Sequence, residues 1–431
     1  MHSSIIAQIL VGMGVHLPQQ KFLIELLSTW LAVRGRFNYV NISRYSSRHE
    51  RTLRRGFRRE FCWAEFNRRL LTDLVPSSHE MIAALDASFV PKSGKKTFGL
   101  GHFFSGCAGR PQKGLELSLL CVVDVTRNTA YAISAKQTPP GEGAPKTKGG
   151  KATGRKATGR KATGKKAKGK RPKAQVAIDK ETRMDAYLEH FESVRAQLPP
   201  EVRHLAVDGY YTNYKFVEGV CNSKLEVVGK LRRDANVRYL YNGPQKDRGR
   251  PRQYSEKVQW LKPDMRRWKN EGEIEDGVKV FSAKLYHVSL KRLLRVAMLQ
   301  DTSTGKLRQA LLFSTDLDLS GKDIVRYYKA RFQIEFLFRD SKQSTGLNDC
   351  QARNAKALHF HWNAAFCAVN LAKWEEVEHS PKPGFSLVSC KLRHSNQRLL
   401  EVFSRKLGLN WNAIKSNTSY LELCNYGVMQ P

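Results

Sequence analysis

Acid is what this chain lacks: 39 Asp and Glu stand against 74 Lys and Arg in 431 residues, a formal net charge of +35. That imbalance excludes a neutral surface and points to a polyanionic partner, nucleic acid first and an anionic membrane surface second. Long apolar runs are also missing. No stretch reaches the ~20 residues that a bilayer-crossing helix needs, so no membrane partner is expected. IIAQILVGMGV, near the N-terminus, has no Lys or Arg before it and suits a helix face better than a signal peptide. The eight cysteines form no C-x-x-C pair, which argues against zinc and reads as reduced, buried thiols in a cytosol. No phosphate-binding glycine loop followed by Lys-Ser or Lys-Thr is present, so no nucleotide cofactor is expected. The apolar content of 41% is ordinary for a globular protein, so disorder is local at most.

What is there falls into five stretches. Residues 1–75 read as a helical DNA-binding region. KFLIELLSTWLAV carries an apolar side, RGRFNYVNISRYSS interrupts it, and RHERTLRRGFRREF resumes with an Arg-dense face. Two short helices feeding a third, basic one is the layout of a helix-turn-helix. Arg48, Arg51, Arg54, Arg55 and Arg58 would then contact phosphates or bases, with plain three-helix packing as the alternative. Residues 76–233 change period. MIAALDASFV, LELSLLCVVDV and AYAISAKQT read as strands, DKETRMDAYLEHFESVRAQL as an amphipathic helix, and HLAVDGYYT as a strand ending in Asp-Gly. NYKFVEGVCNS then reads as a helix and LEVVGKLRR as a strand. Within this stretch, residues 141–175 form a basic loop expected to be disordered. KATG followed by Arg or Lys repeats three times, and 13 basic residues lie between Lys146 and Lys173 without an acid or a large apolar residue. The loop is either a flexible, salt-sensitive DNA clamp or solvated filler, and without its charges a large positive excess remains. Residues 234–311 read as a β-rich insertion, 312–372 as the return to the core, and 373–431 as a helical C-terminal region.

One stretch of the return segment, YYKARFQIEFLFRDSKQSTGL, carries a carboxylate, Glu335, within an aromatic, basic helix. Tyr328, Arg331, Glu335 and Lys342 stand at offsets 0, +3, +7 and +14, and at about 100° per residue they fall within roughly 60° of one helix face. Asp340 lies off that face. Such a stripe suits phosphate and metal. Its partners are Asp86 in LDASF and Asp208 in VDGYY. The element order is that of a ribonuclease H-like α/β fold, in which the first and fourth strands are neighbours and a late helix crosses their ends. Three carboxylates in one cleft repel unless divalent cations neutralise them, and oxygen ligands suit magnesium, with manganese as a substitute. Rival acids read differently. Asp124 precedes a T-R-N-T turn and caps it, Asp316 and Asp318 fit helix capping, and Glu116 and Glu181 have no strand-end position. His359 and His361 lie two apart, on different helix faces.

The run Y-x-x-R-x-x-x-E-x-x-x-x-x-x-K, with LLFSTDLDLSGKDIV, LDASFVPKSGKKTFGL and VDGYYTNYKFV, resembles the DDE transposases of the insertion-sequence-four type, across roughly Met81 to Leu371. The resemblance implies a ribonuclease H-like core with a β-rich insertion, a helical DNA-binding N-terminus and metal-dependent cut-and-paste transposition. It also implies that Asp86, Asp208 and Glu335 hold the metals, while Tyr328, Arg331 and Lys342 handle phosphates and the displaced strand. A homodimer on double-stranded transposon-end and target DNA is expected. In the insertion, RGRPR with Arg248 and Arg250 reads as a minor-groove hook or a basic surface loop. Trp260 or Trp268 would stack an extruded base, and spacing does not choose between them or exclude a core role for each.

Overall fold

A computed structural model describes residues 2–140, 182–303, 307–379 and 385–429 of the chain. The KATG repeats, the basic loop expected at 141–175 and Glu181 lie outside the described residues. Five helices come first: α1 (His2–Gly12), α2 (Leu17–Ala32), α3 (Tyr39–Tyr45), α4 (Glu50–Gly56) and α5 (Trp63–Leu74). The segment expected to interrupt the helical pattern contains α3, begun by an Asn38 side chain that accepts from Asn41 N at 2.9 Å. Next come β1 (Met81–Pro91), β2 (Gly101–Ser105), β3 (Arg110–Asp124), β4 (Thr129–Thr138), α6 (Arg183–Val194), β5 (His204–Val207), α7 (Tyr214–Asn222) and β6 (Glu226–Lys230). β2 was not expected. Its five residues alternate too briefly to register as a strand.

The insertion contributes β7 (Val237–Leu240), β8 (Tyr254–Lys257), β9 (Lys269–Glu275), β10 (Val278–His287) and β11 (Arg292–Asp301), and β12 (Arg308–Ser314) follows. Among the described residues all strands join one sheet, ordered β2-β3-β1-β5-β6-β12-β11-β10-β7-β8, with β4 on β3 and β9 on β10. β1, β5 and β6 run parallel, and every other pairing is antiparallel. A mixed sheet in which the first strand lies beside β5, with helices packed on it, fits a ribonuclease H-like core. β12 bonds to both β6 and β11, so the insertion continues the core sheet rather than forming a layer of its own.

The chain closes with α8 (Gly321–Ala330), α9 (Gln333–Ser344), α10 (Ala355–His379), α11 (Leu387–Lys406), α12 (Trp411–Lys415) and α13 (Ser419–Cys424). Residues 361–373 of α10 are all buried, the polar His361, Asn363, Asn370 and Lys373 among them. Its two buried asparagines, seven residues apart, share one face and clamp the outer edge of β4. Asn363 accepts from Ala135 N at 2.9 Å and donates to Ala135 O at 2.8 Å. Asn370 repeats the pattern on Ala132 at 3.0 and 2.8 Å. An edge strand's open N–H and C=O groups are thereby satisfied inside the protein. Asn67 of α5 adds a bond to Ile133 O at 3.0 Å, which ties the N-terminal helices to the same edge.

Candidate active site

β1 is buried on both faces from Met81 to Leu85, as an interior strand is, and its side chains are half-exposed from Asp86 to Phe89. The register pairs Leu85 with Val207, so the next residues, Asp86 and Asp208, stand side by side where β5 ends. Neighbouring strands lie about 4.8 Å apart, which carries two acids 122 positions apart in the chain into one cleft. Open α/β sheets commonly bind ligands beyond the carboxyl ends of their parallel strands, where Asp208 stands.

The helix above differs from the single continuous stripe that its spacing suggests. It breaks between α8 and α9. Arg331 N still bonds Tyr327 O, but Phe332 N reaches Lys329 O, Ile334 N reaches Arg331 O and Glu335 N reaches Phe332 O. These three-residue bonds replace four-residue ones and tighten the junction. Arg331 at the junction is turned inward, with its side chain 11% exposed. Its Nη1 lies 3.4 Å from Asp86 Oδ2, and its Nη2 3.7 Å from Glu335 Oε1. The Tyr328 hydroxyl donates to Asp208 Oδ1 at 3.5 Å, and the Arg331 guanidinium stands 5.5 Å from the centre of the Tyr328 ring. Lys342 donates to Ser88 Oγ at 2.7 Å, two residues beyond Asp86. The structure thus brings Asp86, Asp208, Tyr328, Arg331, Glu335 and Lys342 together. Ser88 is an addition that only its strand position, i+2 from Asp86 and on the same face, could have suggested.

Electrostatics mark this cleft as under-neutralised. Burial first, then the Asp208 and Glu335 charges, push the Asp86 carboxyl up to about 6, against the Ala87 N–H and Arg331. Burial raises the Tyr328 phenol and lowers the Lys342 ammonium. The buried Nε of Arg331 has no acceptor. A single guanidinium therefore bridges two of three acids, and one of its own donors is unsatisfied. All three carboxylates offer hard oxygen ligands, which fit a divalent cation of the magnesium class. Their ligand atoms do not all lie within 4.8 Å of one another in this conformation. Among the described residues the group that does is Glu375, Cys390 and His394. There, however, Glu375 already meets Arg393 at 3.0 Å and His394 at 2.6 Å.

The rival acids have other work. Asp124 accepts from Arg127 N at 3.0 Å across its turn and pairs with His79 at 2.8 Å. Glu116 is held by Arg183 and by the Tyr187 hydroxyl at 2.5 Å. Asp316 pairs with His204, and Asp318 with Lys284. Neither caps α8, because Ser320 does so by accepting from Asp323 N. His361 bonds Gly346 O at 2.8 Å.

The candidate DNA-contacting side chains separate into two groups. Arg51, Arg55 and Arg58 are exposed, and so are Arg248 and Arg250 in an irregular loop. Arg54 lies 3.7 Å from Glu50 and over the Tyr39 ring at 4.7 Å. Arg48, in contrast, is engaged by Glu25 at 2.7 Å and supports the helices from within. α4 is only seven residues long, shorter than a full recognition helix. Trp260 and Trp268 are both buried, 6.3 Å apart, with Trp268 Nε1 3.3 Å from the Tyr239 hydroxyl. Neither ring has a free face for a base in this conformation, because the insertion uses them as its small core.

Among the described residues no helix is long and apolar enough to cross a membrane. The family described as DDE superfamily endonuclease matches residues 16–279. That span includes Asp86 and Asp208 and ends before Tyr328, Arg331, Glu335 and Lys342. No curated protein matches the chain.

Proposed function

The chain belongs to the DDE superfamily endonucleases, and on that premise we propose that it is a cut-and-paste transposase of the insertion-sequence-four type. It would cleave double-stranded DNA at the ends of its own element and join the freed 3′ ends to target DNA, acting as a homodimer in the cytosol. The observation that carries this reading is the pairing of Asp86 and Asp208 on adjacent parallel strands, with Arg331 joining Asp86 to Glu335.

Asp86, Asp208 and Glu335 would hold magnesium, with manganese as a substitute. Bound divalent cations would activate the attacking water or 3′-hydroxyl and stabilise the leaving oxygen of an in-line displacement. The residues around them position the strand. Arg331, anchored inward, offers a guanidinium to a phosphate once a cation relieves it of the carboxylates. Tyr328 holds Asp208, and Lys342, steadied by Ser88, places a positive charge beside β1.

The test incubates the protein with its gene, the gene's flanking DNA, magnesium and a target plasmid, and compares wild type with Asp208→Asn. Excised ends and joined products from wild type are expected, with the variant below about a thousandth of that activity. Binding without cutting by both proteins would replace this reading with a DNA-binding regulator. Cutting without joining would indicate a nuclease, and equal cutting by both would remove Asp208 from the site.

A further inference from the structure

Beyond the acids, β1 runs on to Pro91 and enters a groove with three walls. Arg36 and Arg58 come from the α2–α3 and α4–α5 connections, Lys92, Lys95 and Lys96 from the β1–β2 loop, and Arg353 from the loop after α9. Arg54 of α4 also lines the groove and pairs with Glu50 at 3.7 Å. Among the described residues none of the other six cations pairs with a carboxylate, although ion pairs occupy many arginines elsewhere, as at Arg48, Arg183 and Arg326. Asp349 is the acid that lines the groove, and its Oδ2 is taken by Phe37 N at 2.9 Å.

The walls are tied together. Phe98 N donates to Arg353 O at 2.8 Å, Lys92 donates to Cys350 O, and Phe37 packs against Gly346. Gly346 has φ +72°, and a Cβ there would meet the Phe37 ring at 2.4 Å, so only glycine permits this approach. Three segments far apart in sequence therefore make one built surface, and most of its charge is unspent. Charges spread along three walls, most of them exposed, suit successive phosphates of a polymer better than one enclosed anion.

We propose that this groove carries the phosphate backbone of the DNA flanking the cut, so that α4 and the β1–β2 loop position the substrate for Asp86, Asp208 and Glu335. Pro91 stands five positions beyond Asp86, about 16 Å at ~3.3 Å per residue. At ~3.4 Å per base pair that places the first groove contact about five base pairs from the scissile phosphate. The proposal rests on the transposase reading of the acid site.

The experiment uses full-length Asp208→Asn protein without metal, bound to a duplex of the element's end over a range of salt concentrations. A second protein adds Arg58→Glu, Lys95→Glu, Lys96→Glu and Arg353→Glu. A charge-matched control adds Lys224→Glu, Lys262→Glu, Lys406→Glu and Lys415→Glu, all exposed and away from the groove. The groove protein should lose about 3.6 units of salt slope, at ~0.9 for each of its four phosphate contacts, while the control loses less. Ethylation of phosphates about five positions from the cut should weaken the parent and not the groove protein. Equal losses in the two quadruple variants, or unchanged ethylation interference, would overturn the groove. Wild-type cleavage of the same duplex with magnesium is scored separately. Its absence beside groove-dependent binding would remove the transposase reading and leave a DNA-binding surface.

Discussion

The face where α10 meets β4 and the cleft where α9 meets β1 are both built from polar side chains set against strands, and they are finished differently. On the first, each clamping amide of Asn363 and Asn370 is used on both sides against one backbone residue. Nearby, buried His190 lies 3.0 Å from Ser118 Oγ and 3.1 Å from Ser134 Oγ. In the second, one guanidinium serves two acids, its Nε lacks an acceptor, and burial with like charge holds a proton on Asp86 up to about pH 6. A satisfied polar network adds rigidity and specificity, whereas an unsatisfied one is destabilising unless a ligand completes it. The contrast concerns the clamping amides and the guanidinium alone, because Thr138 Oγ1 of β4 and Trp362 Nε1 of α10 also lack partners.

Three measurements would break or sharpen that contrast. Asn370→Leu strands the backbone groups of Ala132 at a buried edge and should cost about 3 kcal/mol in denaturant unfolding, since each orphaned group costs ~1–3 kcal/mol. DNA cleavage per folded molecule should hold, and a loss below 1 kcal/mol would mean that β4 needs no clamp. Arg331→Met removes the cation between Asp86 and Glu335 and should destabilise the metal-free protein by about 1–2 kcal/mol, less than a fully buried pair because Glu335 is half open to solvent. Magnesium should recover more stability in this variant than in wild type. An equal or smaller recovery would show that Arg331 does not stand in for a cation.

His190 tests the packed side through pH. Burial, then the Lys136 and His359 charges, depress its imidazole to about 3. The neutral form is therefore favoured in the folded state, and the unfolded chain takes up the proton first. Its contribution should be complete above about pH 6.5 and should fall by at most ~1.4 kcal/mol per unit as pH drops towards 3. His190→Gln should lose part of that slope. Parallel pH profiles for the two proteins would mean that His190 titrates freely.

The sequence was most readable where the physics is local. Apolar runs announced the buried strands β1, β3 and β5, whereas the single helix face expected for Tyr328, Arg331, Glu335 and Lys342 is split between α8 and α9. The charge excess announced a polyanionic partner. β2 and α3 escaped because five and seven residues carry too little periodicity. Asn363 and Asn370 gave no signal, because a mid-helix asparagine looks polar and surface-seeking until an open strand edge lies opposite it. The groove was invisible for the same reason, since Arg58, Lys96 and Arg353 belong to three unrelated stretches of chain.

By itself, then, the sequence determined which residue types were available: two strand-end acids, a helix-borne acid, the cations beside it, and far more positive charge than the fold requires. Only the tertiary structure decided the register that sets Leu85 against Val207, the tightened junction that turns Arg331 inward, and the three walls that meet around Lys92. Helical and strand periods act over a few residues and can be read along the chain. Sheet register and the meeting of distant loops are settled by packing, which the linear order does not record.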